Sequence, residues 1–349
     1  MEEQNTTHKR RVRYKGKYPK NFKEKYKELD PNKYHETIEK VISKGSTPAG
    51  MHISICVKEI LDFFDIKPGQ KGLDVTLGYG GHTKEMLKCL DGKGHMYALD
   101  VDPVELPKTK ERLKNLGYDE NILTIEELNF KDIDILSSIA GKFDFVLADL
   151  GVSSMQIDDP ERGFSYKTEG PLDLRMNPLK GISAANRLKR IKIDELEGML
   201  IENADEPYAR EIAEAIVLEI RKGKSLELTS DLRRIIEETL DFLPKATKDK
   251  DIKKSCQRTF QALRIDVNQE FDALYTFLEK LPNILKPGGK VAILSFHSGE
   301  DRLVKKSFKF NFKEGIYKEI ANEIIRPSVE ECGINSRARS TKMRWAIKA

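Results

Sequence analysis

Cysteine pairs, long apolar runs and a strong net charge are all absent from this 349-residue sequence. Its cysteines, Cys56, Cys89, Cys256 and Cys332, lie far apart, which argues against a zinc site and against a secreted disulfide scaffold. No stretch approaches the ~20 apolar residues that span a bilayer, and the N-terminus lacks the apolar core of a signal peptide. We therefore expect a protein of the reducing cytoplasm, with no membrane partner and no bound metal.

The charge balance is only mildly basic, at +4 with a pI near 8.6. Such an average does not by itself indicate a nucleic-acid partner. Apolar residues make up 39% of the chain, which is enough for a globular core. The length suits two domains, or one large α/β domain that carries an insertion.

The basic residues are concentrated in the head of the chain. Glu24 is the only acid between Lys9 and Lys27, and aromatic residues recur there at four-residue intervals. One interpretation is a solvated tail. The other is an RNA-contacting arm, in which cations meet phosphates and aromatic rings stack on bases. The sequence does not choose between them.

The central stretch of the sequence is a predicted strand, Lys71–Thr76, followed by a glycine turn and an amphipathic helix. Gly78, Gly80 and Gly81 allow a turn that larger residues resist. Their G-x-G-G spacing fits neither the phosphate loop nor the dinucleotide fingerprint, and no lysine follows to neutralise phosphates. The pattern favours a nucleoside-type ligand beyond the strand's carboxyl end, although a plain tight turn is the alternative.

Acids end the second predicted strand, His95–Asp102, about 20 residues beyond the glycine turn, where a ribose diol is bound in such folds. We assign this role to Asp100. Asp102 equally suits an N-cap for a helix that starts at Pro103.

The fourth predicted strand, Phe143–Asp149, ends in an acid, a glycine and two serines. This is the place where the topology brings substrate beside cofactor. Asp149, Ser153 and Ser154 are therefore candidate site residues. The alternative is that Asp149 caps a helix and that the serines only shape a turn.

Two further strands end at the same predicted edge. Asn121–Ile125 is followed by Phe130, which is either a core residue or a neighbour of a bound adenine. Lys290–Phe296 is followed by His297, with acids three and four residues later. Other metal ligands at suitable spacing are missing, which disfavours a metal site there.

Between residues 158 and 254 no strand is predicted. Helical patterns lie near Ser183–Lys189, Ile193–Ile201, Tyr208–Arg221 and Ser230–Phe242. After them we predict a single long helix from Thr259 to Leu281. The segments Glu323–Pro327 and Lys342–Ile347 are predicted to close the sheet as a terminal pair.

Several segments carry a resemblance to a known family. They are Asp74–His82, Asp149–Asp158, Arg162–Tyr166, Gly170–Met176, Arg258–Asn268, Ser295–Arg302 and Asn335–Ser340. In this order they resemble the MraW/RsmH family of S-adenosylmethionine-dependent methyltransferases, which act on cytidine N4 in small-subunit ribosomal RNA. The resemblance covers some 300 residues, a length that suits two domains. Among its departures, Gly299 stands where the family motif F-H-S-L-E-D-R has leucine, and Asn177 ends the motif G-P-L-D-M-R-M-D.

The resemblance implies an α/β fold, a class I (Rossmann-like) methyltransferase sheet with an inserted all-helical substrate-recognition domain. The methyltransferase domain would comprise residues 51–157 and 255–349, and the inserted domain residues 158–254. Residues 1–50 would be a basic N-terminal extension. The cofactor implied is S-adenosyl-L-methionine. The positions that carry over as its contacts are Gly80, Gly81, His82, Asp100, Phe130, Asp149 and Gln156.

The implied reaction is methyl transfer to a cytidine N4 amine in 16S ribosomal RNA near the decoding centre. This amine is a poor nucleophile, so the site must supply in-line positioning and acceptors for the amine protons. Asp149 is the carboxylate we expect to orient either the amine or the cofactor's methionine end, with Ser153 and His297 as polar neighbours. Stacking candidates are Phe164 and Tyr166, although core packing suits Phe164 at least as well. Candidate phosphate contacts are Arg162, Arg175, Arg258 and Arg264, unless they pair with acids inside the fold.

Three other functions remain open from the sequence. One is a methyltransferase with another acceptor, such as another RNA site, a protein or a small molecule. Another is a nicotinamide-dependent dehydrogenase, which the G-x-G-G spacing disfavours. The last is a non-catalytic ribosome assembly factor that retains the cofactor fold.

Overall fold

A computed structural model describes residues 54–349 of the protein, apart from the side chain of Ser336. The basic head and its two interpretations lie outside the described residues. The first helix of the described part is α1, Val57–Phe64.

Seven strands form one sheet in the spatial order β3-β2-β1-β4-β5-β7-β6. The strands are β1 Lys71–Asp74, β2 His95–Asp100, β3 Leu123–Glu127, β4 Phe143–Asp149, β5 Leu285–Ser295, β6 Tyr317–Ile320 and β7 Lys342–Lys348. Strands β1 to β5 pair with one another in parallel, while β7 runs antiparallel to both β5 and β6. The predicted α/β sheet is confirmed, and the parallel strands end along one carboxyl edge.

Helices cover both faces of this sheet. They are α2 Gly81–Leu90, α3 Leu106–Asn115, α4 Ile133–Ala140, α11 Glu270–Ile284 and α12 Ser298–Lys313. Successive residues of a strand face opposite sides. Phe145 and Leu147 pack in one hydrophobic cluster with residues of α1, α2 and α3, whereas Val146 and Ala148 pack with residues of α4, α11 and α12. Burial on both faces explains why the middle of β4, residues 145–148, is a continuous apolar run.

The segment after β4 is helical, as predicted. It comprises α5 Ser154–Asp158, α6 Ala184–Leu188, α7 Ile193–Ala204, α8 Ala209–Arg221, α9 Thr229–Thr239 and α10 Lys248–Asn268. These helices share a hydrophobic cluster of their own, which includes Leu196, Ile212 and Ile236. Its only strand-like feature among the described residues is an isolated bridge between Pro171 and Leu228. Helix α10 continues without a break across residue 254.

Three predicted elements are wrong in detail. The single helix from Thr259 to Leu281 is broken at Gln269, whose left-handed backbone (φ 51°) ends α10 and starts α11. The helix after β2 begins at Leu106 rather than Pro103, because a turn capped by Asp102 precedes it.

The third correction concerns the sheet edge. The partner of β7 is β6, Tyr317–Ile320, and not Glu323–Pro327, from which Ile325 makes only an isolated bridge with Met343. Tyr317 is buried edge-on against Phe308 of α12, with ring centroids 5.5 Å apart, and this packing anchors β6. Within residues 54–349, no helix combines the length and the apolar character that crossing a membrane requires.

Candidate active site at the carboxyl edge of the sheet

The glycine turn after β1 lies at the carboxyl edge of the sheet. Gly78 and Gly80 have left-handed backbones, with φ of 49° and 73°. A Cβ on Gly80 would lie 2.9 Å from Leu113 Cδ1, and one on Gly81 would lie 2.0 Å from Ser54 Oγ. The left-handed backbone and the packing against Leu113 therefore require glycine at position 80, whereas the Ser54 hydroxyl beside Gly81 can rotate away. The contact of both glycines with a cofactor stays a prediction. A Cβ on Gly78 would meet nothing closer than the Thr76 carbonyl at 3.9 Å, so this side of the turn is open.

Asp100 at the end of β2 lies beside that turn, as the sequence predicts. Its Oδ2 accepts a hydrogen bond from the Gly78 amide at 2.7 Å, and its Oδ1 accepts one from the Asp102 amide at 2.9 Å. Burial raises the pKa of this carboxyl to about 6, although the two amide hydrogen bonds stabilise the carboxylate and act to lower the pKa. Each oxygen keeps a lone pair for a further donor, such as a ribose hydroxyl.

Asp149 at the end of β4 completes this edge. Its backbone amide donates to Thr76 Oγ1 at 2.6 Å, which joins the ends of β4 and β1. Its Oδ1 is buried and has no hydrogen-bond partner among residues 54–349. Burial raises the pKa of Asp149 to about 6, nearby Asp74 and Glu300 act in the same direction, and His82 opposes them. The helix-capping alternative is not what the structure shows.

His82 faces Asp149 across the turn. Its Nε2 lies 2.8 Å from the Ile55 carbonyl, which can only accept, so Nε2 carries a hydrogen. In the neutral ring Nδ1 is then a lone pair, and it lies 3.6 Å from Asp149 Oδ2. A proton on either group relieves the repulsion between the two lone pairs. The two residues therefore form a buried pair that is suited to hold one proton.

Ser153 and Gln156 form a capping box at the start of α5. Ser153 Oγ accepts from the Gln156 amide, and Gln156 Oε1 accepts from the Ser153 amide at 2.8 Å. The turn-shaping interpretation of Ser153 is thus observed. Gln156 Nε2 donates to Asp102 Oδ2 at 2.7 Å. Contact of either side chain with substrate or cofactor stays a prediction.

Asp102 links three parts of the site, which the sequence did not reveal. Besides capping the turn before α3, it accepts from Gln156 and from Arg162 Nη1 at 2.8 Å. Asp102 is 1% and Arg162 7% exposed. This buried ion pair ties the end of β2 to the loop after α5. Nothing in the local spacing of the two residues signals a pair 60 positions apart.

All the candidate phosphate-binding arginines face acids of the protein. The pairs are Arg162 with Asp102, Arg175 with Asp173 at 2.7 Å, Arg264 with Glu270 at 2.8 Å, and Arg258 with Glu206 at 4.0 Å. The alternative of internal pairing is therefore what the structure shows for this set.

The aromatic candidates pack inside the protein. Phe130 lies edge-on to Phe277, with centroids 5.3 Å apart, and is half-buried. Phe164 is buried in the core of the helical segment, and Tyr166 lies edge-on to Phe260. Phe130 retains an exposed side for a ligand, whereas Phe164 is a core residue.

His297 follows β5 at the same edge. Its Nε2 lies 3.2 Å from Glu300 Oε1, and its ring lies 5.7 Å from that of Phe271. Burial alone would raise the pKa of Glu300, but His297, Arg264 and the Phe296 amide together hold it below its usual value. The Nδ1 of His297 is buried without a hydrogen-bond partner in the described part of the chain.

Phe271 occupies the space that a side chain at position 299 would need. A Cβ on Gly299 would lie 2.5 Å from Phe271 Cζ. We expect Gly299→Leu to cost about 1–3 kcal/mol of unfolding free energy, because the ring and the new side chain overlap. Phe271→Ala should remove most of this cost, giving a coupling of about 1 kcal/mol or more in denaturant unfolding.

Gly198 of α7 provides the matched control, since a Cβ there meets nothing within 4 Å. Gly198→Leu should leave stability unchanged or raise it. If Gly299→Leu lowers the free energy of unfolding equally in the natural protein and in the Phe271→Ala variant, the steric explanation is wrong.

One further group of side chains has the composition of a metal site. Ligand atoms of Cys56, Glu59 and Glu331 lie within 4.8 Å of one another. However, Glu331 Oε1 already accepts from the Cys56 amide at 2.8 Å. Burial raises the pKa of the Cys56 thiol and of the Glu331 carboxyl, which disfavours the thiolate that a metal needs.

Comparisons with known proteins identify relatives over the whole chain. The sequence pattern of the MraW methylase family matches residues 49–349. "Ribosomal RNA small subunit methyltransferase H 1" of Lachnoclostridium phytofermentans is 68% identical over 348 residues, which is 100% of this chain and 95% of that protein. "Ribosomal RNA small subunit methyltransferase H" of Pseudoalteromonas atlantica is 38% identical, over 85% of this chain and 98% of that protein.

Among solved structures, the SAM-dependent O-methyltransferase TM0748 of Thermotoga maritima superposes with a TM-score of 0.39 at 11% identity. The match covers 86% of this chain and 67% of that one.

Proposed function

The chain belongs to the MraW methylase family, and from that membership and the geometry of the carboxyl edge we propose that it methylates small-subunit ribosomal RNA with S-adenosylmethionine. At finer detail, we propose that the acceptor is the N4 amine of a cytidine near the decoding centre. The observation that carries the proposal is the unpartnered, buried Oδ1 of Asp149, at the edge where the glycine turn and Asp100 also lie. The names of the relatives support the ribosomal substrate.

The residues of this edge fit the cofactor. S-adenosylmethionine, when bound, supplies a methyl group activated by a sulfonium centre. Gly78 and Gly151 both have left-handed backbones, and a Cβ on either would meet no atom closer than 3.9 Å, so the loops after β1 and β4 leave space between them. Asp100 has lone pairs for a ribose diol, and Asp149 has a free oxygen for a cationic or amine donor. A nucleoside without phosphates needs no lysine in this turn.

Asp149 is proposed to bind the N–H groups of the acceptor amine. Positive charge develops on the amine nitrogen during transfer, and a carboxylate fixed beforehand in a water-poor site stabilises that charge without reorganisation. The Thr76 hydroxyl holds the Asp149 backbone, so the position of the carboxylate is set by two strand ends. His82 then offers a place for the proton that the amine loses, through Asp149 Oδ2.

The helical segment 158–254 is proposed to recognise the RNA around an unpaired base. Its own hydrophobic cluster supports a separate structural role. It reaches the catalytic edge where Ser298 Oγ lies 3.1 Å from Asp205 Oδ2. An unpaired cytosine between this segment and the edge would meet His297, whose Nδ1 is free for an edge hydrogen bond.

The test is incubation of the purified full chain with methyl-labelled S-adenosylmethionine and small ribosomal subunits from a strain that lacks this gene. Nucleoside mass spectrometry should show the label in N4-methylcytidine of the RNA. Label in another nucleoside would overturn the finer assignment, and label in protein would overturn the RNA substrate.

Two other outcomes would point to the remaining functions. Binding of NADH in place of S-adenosylmethionine would indicate a dehydrogenase. Full biological effect of an Asp149→Ala variant would indicate a non-catalytic assembly factor.

A further inference from the structure

Helix α12 exposes a continuous stripe of positive charge. Its members are Arg302, Lys305, Lys306, Lys309 and Lys313, all of them exposed. At 100° per residue they fall within about 100° of the helix circumference, and the five cations span about 16 Å, or about three turns. The opposite side of the helix, with Val304 and Phe308, is buried. We call these five residues the α12 stripe.

Acidic residues of the described part of the protein do not neutralise the charges of the α12 stripe. Among residues 54–349, none of its members has an acidic partner within ion-pair distance. By contrast, basic residues of the helical segment, such as Arg210, Arg233 and Arg234, each pair with at least one glutamate. The acids of α12 itself, Glu300 and Asp301, lie in its first turn and have partners elsewhere. Nothing on the helix offsets the stripe.

Two exposed aromatic residues border the stripe near its far end. Phe310 is 62% and Phe312 47% exposed, and they project to either side of the cations. Exposed phenylalanines beside a cationic track are typical of surfaces that bind single-stranded nucleic acid, since phosphates meet the cations and bases stack on the rings.

The helix begins beside the candidate active site. α12 begins directly after His297 at the carboxyl edge, next to Asp149, and packs against α11 and β6 as it runs away from that edge. A nucleic-acid strand whose target base enters the site must leave along some surface of the protein, and the stripe starts there.

We propose that the α12 stripe binds the phosphate backbone of the substrate RNA on one side of the target nucleotide. This inference rests on the proposed function, because the RNA is the substrate of the same site. Arg302 lies nearest the site and the three lysines Lys305, Lys309 and Lys313 lie progressively farther from it. They extend the contact beyond the reacting nucleotide and do not take part in methyl transfer.

The experiment compares two triple variants of the full chain. Lys305→Gln/Lys309→Gln/Lys313→Gln removes three charges from the stripe. Lys93→Gln/Lys114→Gln/Lys142→Gln is the matched control, because these lysines are exposed and lie just before β2, at the end of α3 and just before β4, at the opposite edge of the sheet. Binding to purified small-subunit ribosomal RNA is measured as a function of salt, together with S-adenosylmethionine binding and single-turnover methylation.

The stripe variant should bind the RNA about tenfold more weakly at low salt, and its log–log salt slope should fall by about 2, since each lost phosphate contact removes ~0.7. Cofactor affinity and the methylation rate at saturating RNA should match the unaltered protein. The control variant should keep the full slope. A stripe variant with the same slope as the control overturns the proposal, whether the stripe then serves an acidic protein or no partner.

Failure of the proposed function looks different. The unaltered protein would then transfer no methyl group to RNA, whatever the salt slopes of the variants. The stripe proposal is judged on the difference in slope alone, provided that the unaltered protein methylates the RNA.

Discussion

Asp149→Asn is expected to slow methyl transfer by about 10²- to 10³-fold at neutral pH, the usual cost of removing one preorganised group that stabilises developing charge. The amide keeps the size of the side chain, but it has no negative charge and only one acceptor oxygen, and it cannot take up a proton. Single-turnover methylation with saturating cofactor and RNA measures this rate. If Asp149 instead holds the methionine end of the cofactor, the affinity for S-adenosylmethionine falls and the rate at saturation is kept. An unchanged rate and affinity would contradict both roles.

The rate of methyl transfer should also depend on pH through Asp149. Because burial raises the pKa of Asp149 to about 6, the rate should fall about tenfold per pH unit below that value, and Asp149→Asn should not show this fall. The free energy of unfolding should also depend on pH, and in the direction opposite to that for an ion-paired carboxylate. The folded state holds the proton more tightly than the unfolded state, so stability drops as pH rises from about 4 to about 6.

Above pH 6 the ionised, buried Asp149 destabilises the protein without its ligands. Asp149→Asn should therefore raise the free energy of unfolding at pH 7, by at most about 3 kcal/mol, and leave it unchanged near pH 3. Thermal unfolding at both pH values distinguishes this from a general packing effect, which would appear at both.

Arg162→Met is expected to destabilise the protein by about 3–5 kcal/mol, because it leaves the buried Asp102 carboxylate without its cation. Denaturant unfolding measures the loss. Methylation should fall as well, since Asp102 holds Gln156 and thereby the turn that carries Ser153. The salt slope of RNA binding measured on the folded fraction should not change, which separates this role from a phosphate contact.

Arg210→Met is the matched control for this prediction. Arg210 contacts three acids, Asp194, Glu197 and Glu214, yet its side chain is half-exposed. Since exposed ion pairs contribute little, the variant with more contacts should lose far less stability. Equal losses would show that burial is not what makes the Arg162 pair important.

The edge of the sheet was predictable because its signals are local. Apolar runs of strand length, the glycines at 78, 80 and 81, and acids directly after strands are patterns within a few residues. They placed Asp100 and Asp149 at the carboxyl edge. The helical segment was predictable for the same reason, since its periodicity is visible in each helix separately.

Other features depended on residues far apart in the chain. The break at Gln269 interrupts a pattern that is helical on both sides, so periodicity could not reveal it. The arginines considered for phosphate binding face internal acids, and whether a cation is paired depends on which distant residue lies beside it.

The sequence alone thus determined the family, the parallel strands in their succession along the chain, and the acids at the ends of those strands. These features follow from local patterns and from motifs that occur in the same order as in the family. Only the tertiary structure decided the buried Asp102–Arg162 pair, the facing of His82 and Asp149, and the unneutralised stripe on α12. The reason is physical. Burial and the neighbours in space set the charge state of a polar side chain and its availability to a ligand, and the residues adjacent in sequence determine neither burial nor those neighbours.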